Sequence, residues 1–324
     1  MPDKIRVSII CNAYNHEKYI EDTLKGFVSQ QTDFSYEVLI HDDASTDGTA
    51  DIIRKYEKMY PDIIKPIYQS ENQYSQKVKI TSSIQLPRAQ GDYIAICEGD
   101  DYWIDENKLQ KQFDMLEEYD YLNMCVHAAY VEIDGARRKI SRPAKRVRIF
   151  STEEVIVGDG DFFATASIFA RKKLFDSELY KRSPYQYDYM CQMLGALGKG
   201  VMFLPDIMSV YRFRVKDSWT TKVAKSSHAL AQNCERISVM LDYFDRITDG
   251  KFTHVIQFQK ASYLFIKGYT LSDKKMIKES QKVLCSKDYM DCYNYLIPSV
   301  RIRKYIKHHF YWLLELKKLL SRRP

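Results

Sequence analysis

The residues best suited to chemistry are carboxylates that follow a short apolar run. Glu98, Asp100 and Asp101 come directly after residues 93–97, Tyr-Ile-Ala-Ile-Cys. A run of this length and polarity predicts a strand buried on both faces of a parallel sheet. Carboxylates crowded at the end of one strand repel one another unless a hard divalent cation binds them. A turn that uses glycine and aspartate for backbone reasons is the alternative, and this stretch alone leaves both interpretations open.

The elements that must position these acids alternate between strands and helices. Strands are predicted at 6–11, 36–40, 63–68 and 93–97, with helices at 17–28, 50–60 and 80–89 between them. This alternation with short connections is typical of parallel βαβ units. Polar residues follow three of the strands: Asn12 and Tyr14 after the first, Asp42 and Asp43 after the second, Asp100 and Asp101 after the fourth. Because crossovers in such a sheet share one hand, we expect these strand ends to form one site.

The first strand end excludes two common classes of nucleotide-binding site. Residues 11–16 contain no glycine. A dinucleotide-binding Gly-x-Gly-x-x-Gly turn and a Walker loop both need glycine there, so that backbone amides can approach phosphate groups. A bound metal would therefore carry more of the neutralisation of phosphate charge.

Composition sets further limits. The 324 residues are 45% hydrophobic and 28% charged, as in a soluble globular protein with room for a large and a smaller domain. A formal net charge of +6 is too modest to indicate nucleic acid. The seven cysteines include no Cys-x-x-Cys pair, which predicts reduced core thiols in a cytoplasmic protein. Neither a signal segment nor a membrane-spanning stretch is expected.

Three linked motifs carry a resemblance to a known family. They are Val-Ser-Ile-Ile-Cys-Asn-Ala-Tyr-Asn at 7–15, Ile-His-Asp-Asp-Ala-Ser-Thr-Asp-Gly-Thr at 40–49, and Gly-Asp-Tyr-Ile at 91–94 with Glu-Gly-Asp-Asp-Tyr-Trp at 98–103. In order and spacing they resemble the family 2 glycosyltransferases of the GT-A fold, over roughly residues 6–212. The resemblance implies an α/β fold with a Rossmann-like sheet and helices on both faces. It also implies an inverting transferase that uses a nucleotide-diphosphate sugar, with a UDP-sugar expected, and Mn²⁺ or Mg²⁺.

The resemblance implies roles for individual residues near the strand ends. Asn12 and Tyr14 would line the base pocket, Asp43 would accept from the base N–H, and Asp100 and Asp101 would share contact with the ribose and the metal. The sequence departs from the familiar Asp-x-Asp-Asp form because position 98 is Glu. A carboxylate is retained on a longer arm, which leaves open which acid is the direct metal ligand.

Further roles are implied later in the chain. Asp188 matches the family's general base, just before a helix at 190–197, although an acid at a helix start is also favoured by the helix dipole alone. Thr165 and Ser167 fall on the acceptor side of the site. Arg212, in a Tyr-Arg pair near the end of the catalytic domain, would assist the departing diphosphate.

The predicted domains are a GT-A catalytic domain at 1–220 and a helical C-terminal region at 221–324. Helices are expected at 227–243, 253–269, 273–284 and 300–321. The last carries Ile302, Ile306 and Trp312 beside several cations, which fits either a helix at a membrane interface or one packed on its own domain. The basic segment 137–148 is either a solvated loop or a contact for an anionic acceptor or lipid headgroup.

The expected function is sugar transfer to an acceptor hydroxyl in capsule, exopolysaccharide or O-antigen synthesis. Family members of this type build on lipid carriers, so a lipid-linked saccharide acceptor is expected, with no nucleic acid. The protein would be cytoplasmic, with peripheral contact at the inner face of the cell membrane. One alternative is a sugar-nucleotide nucleotidyltransferase, although its glycine-rich first loop is missing. The other is a non-catalytic sugar-nucleotide-binding module, favoured if Asp188 or the Asp100-Asp101 pair lay far from the pocket.

Overall fold

A computed structural model describes residues 4–213, 215 and 218–311 of the chain. Within this part the chain forms two compact units. The first comprises residues 4–152, 160–182, 186–213 and 215, and the second comprises residues 153–159, 183–185 and 218–311. Two short segments, 153–159 and 183–185, thus belong to the second unit although the residues around them belong to the first.

The first unit is built on a mixed β-sheet. Its strands are β1 (Ile5–Ala13), β2 (Ser35–Asp42), β3 (Ile64–Tyr68), β4 (Tyr93–Ile96), β5 (Tyr102–Trp103), β6 (Met124–Ile133), β7 (Ala136–Ser141), β8 (Arg148–Phe150), β9 (Phe169–Arg171) and β10 (Val201–Phe213). Across the described residues their order is β3-β2-β1-β4-β9-β6-β10-β5, with β7 beside β6 and β8 beside β10. Strands β1 to β4 pair in parallel, as predicted, whereas β9 is antiparallel to both β4 and β6.

Helices connect the strands and form the second unit. They are α1 (Ile20–Val28), α2 (Thr49–Met59), α3 (Leu86–Arg88), α4 (Lys108–Glu118), α5 (Thr152–Gly158), α6 (Lys172–Asp176), α7 (Glu178–Lys181), α8 (Asp188–Ala196), α9 (Trp219–Lys225), α10 (Ser227–Ile247), α11 (Thr253–Leu271), α12 (Lys274–Leu284) and α13 (Pro298–His309). Helix α1 shows why they form: Ile20, Leu24 and Phe27 are fully buried on one face, at the spacing of an amphipathic helix.

The predicted helix at 80–89 is only partly correct. The segment forms one π-helical turn, Thr81–Gln85, followed by the short α3. Pro87 has no N–H to donate to the preceding turn, which limits regular α-helical bonding here. The buried amide of Gln85 donates instead to the carbonyls of Cys11 and Leu39, at 3.0 Å each, and so fixes this segment against β1 and β2.

A buried carboxylate fixes the strands that lead to the site. Glu37 is 2% exposed and accepts hydrogen bonds from the Ser8 hydroxyl at 2.7 Å and the Gln90 backbone N–H at 2.8 Å. The Ser8 oxygen in turn accepts from the N–H of Gly91. A side chain at Gly91 would place its Cβ 2.5 Å from the Ser8 nitrogen, so only glycine allows β1 and the start of β4 to approach this closely.

The second unit is helical, and its last described helix has an exposed apolar face. Ile302 and Ile306 on α13 are exposed, as is Phe310 directly after this helix. His308 is buried, and its Nδ1 lies 2.8 Å from the Tyr293 hydroxyl. Residues 312–321 of the predicted terminal helix lie outside the described residues. No described helix is both long and apolar enough to cross a bilayer. The seven cysteines are free thiols, and all except the half-buried Cys285 are buried, as predicted.

Candidate active site

The strand ends converge as the sequence predicts. Asn12 pairs with His41 where β1 and β2 run in parallel, and β4 lies on the other side of β1. The Asn12 amide donates to Glu98 Oε1 at 3.4 Å and to Thr81 Oγ1 at 3.3 Å. A single side chain thus joins the end of β1 to the acids that follow β4. These residues lie together at the carboxyl edge of the parallel strands, where ligands bind in open α/β sheets.

The acids after β4 lie in a turn, which we call the acid loop, residues 98–101. The Asp101 N–H donates to the Glu98 carbonyl at 3.1 Å, so the turn interpretation is correct for the backbone. The Thr23 hydroxyl on α1 fixes this turn by contacting the carbonyls of Gly99 at 3.1 Å and Asp101 at 2.6 Å. Asp101 itself is 3% exposed, and its Oδ1 accepts from the Arg212 N–H at 2.8 Å. The turn therefore also concentrates carboxyl groups in a buried position.

The electrostatics of the acid loop favour a bound cation. Burial, with the charge of Asp100 adding to it, raises the pKa of Glu98 to about 8. The same causes raise the pKa of Asp101 well above its usual value. Both shifts mean that the negative charges are poorly solvated and repel one another, and a divalent ion would offset this cost.

The donor set fits a metal that shares its coordination with a ligand. Within the described part of the chain, the Asp100 carboxylate accepts no hydrogen bond. Asp101 accepts one, through Oδ1, so its Oδ2 stays available to a metal. The acids of the loop do not bring three ligand atoms within 4.8 Å of one another in the described residues. Mg²⁺ and similar hard ions are commonly held by one or two carboxylates together with substrate phosphates and water. Asp100 and Asp101 could therefore hold such an ion only as part of a complex with a phosphate ligand.

Arg212 holds the acid loop from strand β10. Its guanidinium donates to Asp22 Oδ2 at 2.5 Å, to Glu132 Oε1 at 3.2 Å and to the Asp100 carbonyl at 3.1 Å. The side chain is 8% exposed, and its cation lies 4.2 Å from the centre of the Tyr102 ring. Arg212 thus lies at the predicted site, but its donors already bind two carboxylates and the loop backbone. Assistance to a departing diphosphate stays a prediction.

Asp188 reaches the same site from the start of α8. The charge of Asp188 contributes to the raised pKa of Glu98, so the two carboxyls lie close enough to interact. Asp188 Oδ2 accepts from the Thr165 hydroxyl at 2.6 Å, and Oδ1 accepts from the Tyr189 N–H at 2.7 Å. Burial raises the pKa of Asp188 despite these hydrogen bonds. The structure therefore places a hydrogen-bonded carboxylate where its charge acts on the acid loop. The role of Asp188 as general base stays a prediction.

An aromatic side chain ties the Thr165–Ser167 turn to β5, which directly follows the acid loop. Trp103 Nε1 donates to the Ala166 carbonyl at 3.0 Å. The Thr165 hydroxyl is directed to Asp188, whereas Ser167 is fully buried and its hydroxyl donates to the Ala164 carbonyl at 2.6 Å. Ser167 thus stabilises the turn. An acceptor contact by either hydroxyl stays a prediction.

The predicted base-pocket residues differ in their surroundings. Tyr14 is 42% exposed at the end of β1. Asp43 is buried, and its carboxylate accepts from the backbone N–H groups of Gln73 at 2.7 Å and Tyr74 at 3.0 Å. Asp43 therefore orders the loop after β3. Because a carboxylate offers about four lone-pair directions, these two bonds leave capacity for a base N–H.

Sequence reasoning missed the residues that support the site. Thr23, Asp22 and Glu132 hold the acid loop directly or through Arg212, and none belongs to a recognised motif. Thr23 and Asp22 occupy ordinary positions on an amphipathic helix, and Glu132 lies in a strand over a hundred residues later. No local signal in the sequence distinguishes them from surface polar residues.

Comparison with known sequences identifies relatives of this chain. The family model described as glycosyl transferase family 2 matches residues 8–179, which is more than half of the chain. Uncharacterized protein Rv1520 of Mycobacterium tuberculosis is 34% identical over 217 residues, which cover 66% of this chain and 60% of that protein. The chain thus spans less than two thirds of that relative's length. The β-1,3-glucosyltransferase WfaP of Escherichia coli, named for UDP-Glc and α-D-GlcNAc-diphosphoundecaprenol, is 34% identical over 129 residues, covering 39% of this chain and 48% of WfaP.

Solved structures show the same fold. TarS 1–349 of S. aureus in complex with UDP-GlcNAc superposes with a TM-score of 0.62 at 19% identity, covering 92% of this chain and 83% of TarS. The mannosyltransferase PcManGT of Pyrobaculum calidifontis, in complex with GDP-Man and Mn²⁺, gives a TM-score of 0.50 at 15% identity, covering 95% of this chain and 90% of that protein. These likenesses show that the architecture is the GT-A fold. The family match over residues 8–179 shows that the chain belongs to glycosyl transferase family 2.

Proposed function

We propose that this chain is a glycosyltransferase that moves a sugar from a nucleotide-diphosphate donor to an acceptor hydroxyl, with inversion at the transferred carbon. Two observations carry the proposal: Asp188 lies where its charge raises the pKa of Glu98 in the acid loop, and it accepts a hydrogen bond from Thr165 at 2.6 Å. The neighbouring Ala166 carbonyl accepts from Trp103, two residues after the acid loop. One group of acids suits a metal and diphosphate, and a separate carboxylate suits proton removal. A sugar-nucleotide-binding module without catalysis has no need for the second carboxylate.

Asp188 is proposed as the general base. The hydrogen bonds from Thr165 and Tyr189 fix the orientation of its carboxylate, while burial keeps its pKa above that of a solvated aspartate. A positioned carboxylate of this kind can accept the proton of an attacking hydroxyl. If the hydroxyl attacks opposite the leaving nucleotide, a single displacement inverts the configuration, and no covalent intermediate is needed.

Asp100 and Asp101 are proposed to hold Mg²⁺ or Mn²⁺ together with the donor diphosphate. Such an ion would offset the negative charge that builds on the leaving nucleotide. Asn12, Tyr14 and Asp43 are proposed to bind the nucleoside at the neighbouring strand ends. PcManGT with Mn²⁺ supports a metal of this type, and TarS with UDP-GlcNAc supports a UDP-sugar as the first donor to test.

The acceptor is proposed to be a lipid-linked saccharide used in the synthesis of a surface polysaccharide such as capsule, exopolysaccharide or O-antigen. WfaP supports this proposal, since its name gives a diphosphoundecaprenol-linked sugar as the acceptor. We assign catalysis to a domain at 1–220 and propose a cytoplasmic protein that contacts the inner face of the membrane. The helical region at 221–324 would supply that contact.

A donor screen tests the proposed function. The full chain is incubated with UDP-, GDP- and dTDP-sugars, each with Mn²⁺ and with a chelator, and release of free nucleotide diphosphate is measured. We expect release from one nucleotide class, most strongly with UDP-sugars, and only when metal is present. Release of nucleotide monophosphate or formation of nucleotide sugar from triphosphate would instead indicate nucleotidyl transfer. Binding of sugar nucleotide without any turnover would indicate a binding module.

The exposed face of α13 supports the membrane contact. Ile302 and Ile306 are 62% and 46% exposed, and cations such as Arg303 and Lys307 belong to the same helix. Apolar side chains beside cations are typical of a helix lying in a membrane interface. Each cation near an anionic surface adds roughly 1 kcal/mol of attraction. The basic segment 137–148, part of which forms the β6–β7 hairpin, is a second proposed contact.

Vesicle sedimentation measures this contact. We expect the full chain to sediment with anionic vesicles, more weakly with neutral ones, and to be released by high salt. The double variant Ile302→Glu, Ile306→Glu should reduce the bound fraction about tenfold, because it places two charges on the inserted face. Val239→Glu is the matched control, since Val239 is 49% exposed on another helix of the same unit. Wild-type protein that stays in the supernatant with anionic vesicles would exclude α13 as a membrane anchor.

A second variant tests how the acid loop is held. Arg212→Lys keeps the positive charge but loses the forked contacts to Asp22, Glu132 and the loop carbonyl, because lysine cannot replace a multidentate guanidinium. We expect the Mn²⁺ concentration for half-maximal activity to rise about tenfold, with a smaller change in the rate at saturating metal. Activity is measured as a function of Mn²⁺ concentration.

Arg171→Lys is the control for this variant. Arg171 also bonds inside the first unit, to the Tyr93 hydroxyl at 2.7 Å and the Leu122 carbonyl at 3.0 Å, without touching the acid loop. It should lower stability while leaving the metal requirement unchanged. If Arg212→Lys slows the reaction at saturating metal and does not change the metal requirement, Arg212 acts on the leaving group instead.

A further inference from the structure

The second unit carries a histidine, an aspartate and a cysteine whose side chains meet near its surface. Among the described residues, one ligand atom from each of His254, Asp291 and Cys292 lies within 4.8 Å of the other two. His254 Nε2 and Asp291 Oδ1 are 2.9 Å apart. The proposed sugar transfer uses none of the three, because its residues all belong to the first unit.

Two helical segments hold the cluster. His254 lies in the first turn of α11, and Asp291 and Cys292 belong to the 3₁₀ helix Lys287–Tyr295. On this 3₁₀ helix, Tyr289 stacks on the His254 imidazole, with ring centres 4.7 Å apart and an angle of 8° between the planes. The stacking fixes the plane of the imidazole, so the orientation of its Nε2 toward Asp291 is set by packing as well as by the hydrogen bond.

The chemistry of the three side chains differs from that of the acid loop. His254 and Asp291 are exposed, whereas Cys292 is fully buried beneath them. Burial, with the charge of Asp291 adding to it, raises the pKa of Cys292 to about 12, so the thiol is protonated when no cation binds. Imidazole, carboxylate and thiolate together are a donor set for Zn²⁺, while Mg²⁺ and Ca²⁺ prefer oxygen ligands alone.

We propose that His254, Asp291 and Cys292 bind a zinc ion, with water as the fourth ligand. With the usual zinc–ligand bond lengths, ligand atoms in a tetrahedral site are about 3.5 Å apart, so the cluster needs only side-chain rotations to close on the ion. Binding transfers the Cys292 thiol proton to water. The proton on His254 Nε2, which is donated to Asp291 in the metal-free protein, moves through solvent to Nδ1, and two bonds to the metal replace this hydrogen bond. The ion would link the start of α11 to the 3₁₀ helix and stabilise this part of the second unit.

Cobalt substitution tests the site directly. The full chain is reduced, freed of metal with a chelator, passed through a desalting column and titrated with Co²⁺. We expect one equivalent of Co²⁺ to produce a sulfur-to-cobalt charge-transfer absorption, which Zn²⁺ then removes by displacing the cobalt. Cobalt bound by the carboxylates of the acid loop gives no such absorption, because that site has no thiolate. The two metal sites are therefore distinguishable in one spectrum.

Variants test which side chains bind the metal. Cys292→Ser should abolish the charge-transfer absorption, whereas Cys285→Ser should keep it, because the Cys285 thiol donates to the His308 carbonyl at 3.6 Å and lies outside the cluster. Cys292 is buried, so its replacement could also disturb folding. His254→Gln avoids this because His254 is exposed, and it should weaken Zn²⁺ binding at least tenfold. Absence of the absorption in wild-type protein, or its survival in Cys292→Ser or His254→Gln at wild-type affinity, would overturn the proposal.

Discussion

Replacing Asp188 with asparagine should slow sugar transfer by about a hundredfold to ten-thousandfold, with donor affinity nearly unchanged. Asparagine keeps the shape of the side chain, and its amide oxygen can still accept the hydrogen bond from Thr165. It cannot accept the proton of the acceptor hydroxyl. The loss should therefore appear in the rate of the chemical step. Single-turnover kinetics at saturating donor measure that rate, and calorimetry with the nucleotide measures affinity.

Glu178→Gln is the matched control for the base. Glu178 is close to Asp188 in sequence, but it lies at the surface, where it pairs with Arg182 at 3.0 Å. Removal of its charge should change turnover by less than about twofold, since exposed ion pairs contribute little. If Asp188→Asn kept near-normal turnover, another group would be the base. A large defect in Glu178→Gln would then make Glu178 the first alternative.

Asp101→Asn should lower turnover on the order of a hundredfold or more and weaken nucleotide binding chiefly when metal is present. Asparagine can still accept the backbone N–H of Arg212 through its amide oxygen, so the acid loop should keep its position. What is lost is one negative charge in a buried cluster that would otherwise bind a cation. Titration of the nucleotide with Mn²⁺ and with chelator, for both proteins, separates metal-dependent from metal-independent affinity.

The control for this change is Asp92→Asn. Asp92 follows Gly91 at the opposite end of β4 and forms surface ion pairs with Lys4 at 2.8 Å and Arg6 at 3.0 Å. Asp92→Asn should leave the nucleotide affinity unchanged, both with Mn²⁺ and with chelator. If wild-type protein bound the nucleotide equally well with Mn²⁺ and with chelator, the acid loop would not hold a metal against the diphosphate.

The convergence of the acids was predictable because two regular features determine it. Apolar runs of strand length, separated by amphipathic helices, predict parallel strands, and parallel strands place their carboxyl ends at one edge. Asn12 and Glu98 are far apart in sequence, yet this rule alone predicts that they meet, and their side chains are 3.4 Å apart. Asp188 was predicted from the resemblance instead, because no comparable rule assigns a role to an acid at the start of α8.

The support of the site could not be predicted, because it depends on contacts between distant segments. Arg212 lies within bonding distance of Asp22 only because β10 and α1 both pack near the acid loop, and the two residues are 190 positions apart. The carboxylate of Asp43 likewise orders the loop after β3 through backbone N–H groups, which any sequence could provide. In the segment at 80–89, helical periodicity was present, but Pro87 and the buried Gln85 favoured a π-helical turn.

The configuration of the first product tests the central claim most directly. The full chain is given an α-linked UDP-sugar and Mg²⁺ without acceptor, so that water takes the place of the acceptor hydroxyl, and the released sugar is followed by proton NMR before mutarotation equilibrates it. Because Asp188 is proposed to activate a nucleophile on the face opposite the nucleotide, the β-anomer should appear first, and Asp188→Asn should suppress its formation. Initial release of the α-anomer by wild-type protein would contradict a single displacement with Asp188 as base.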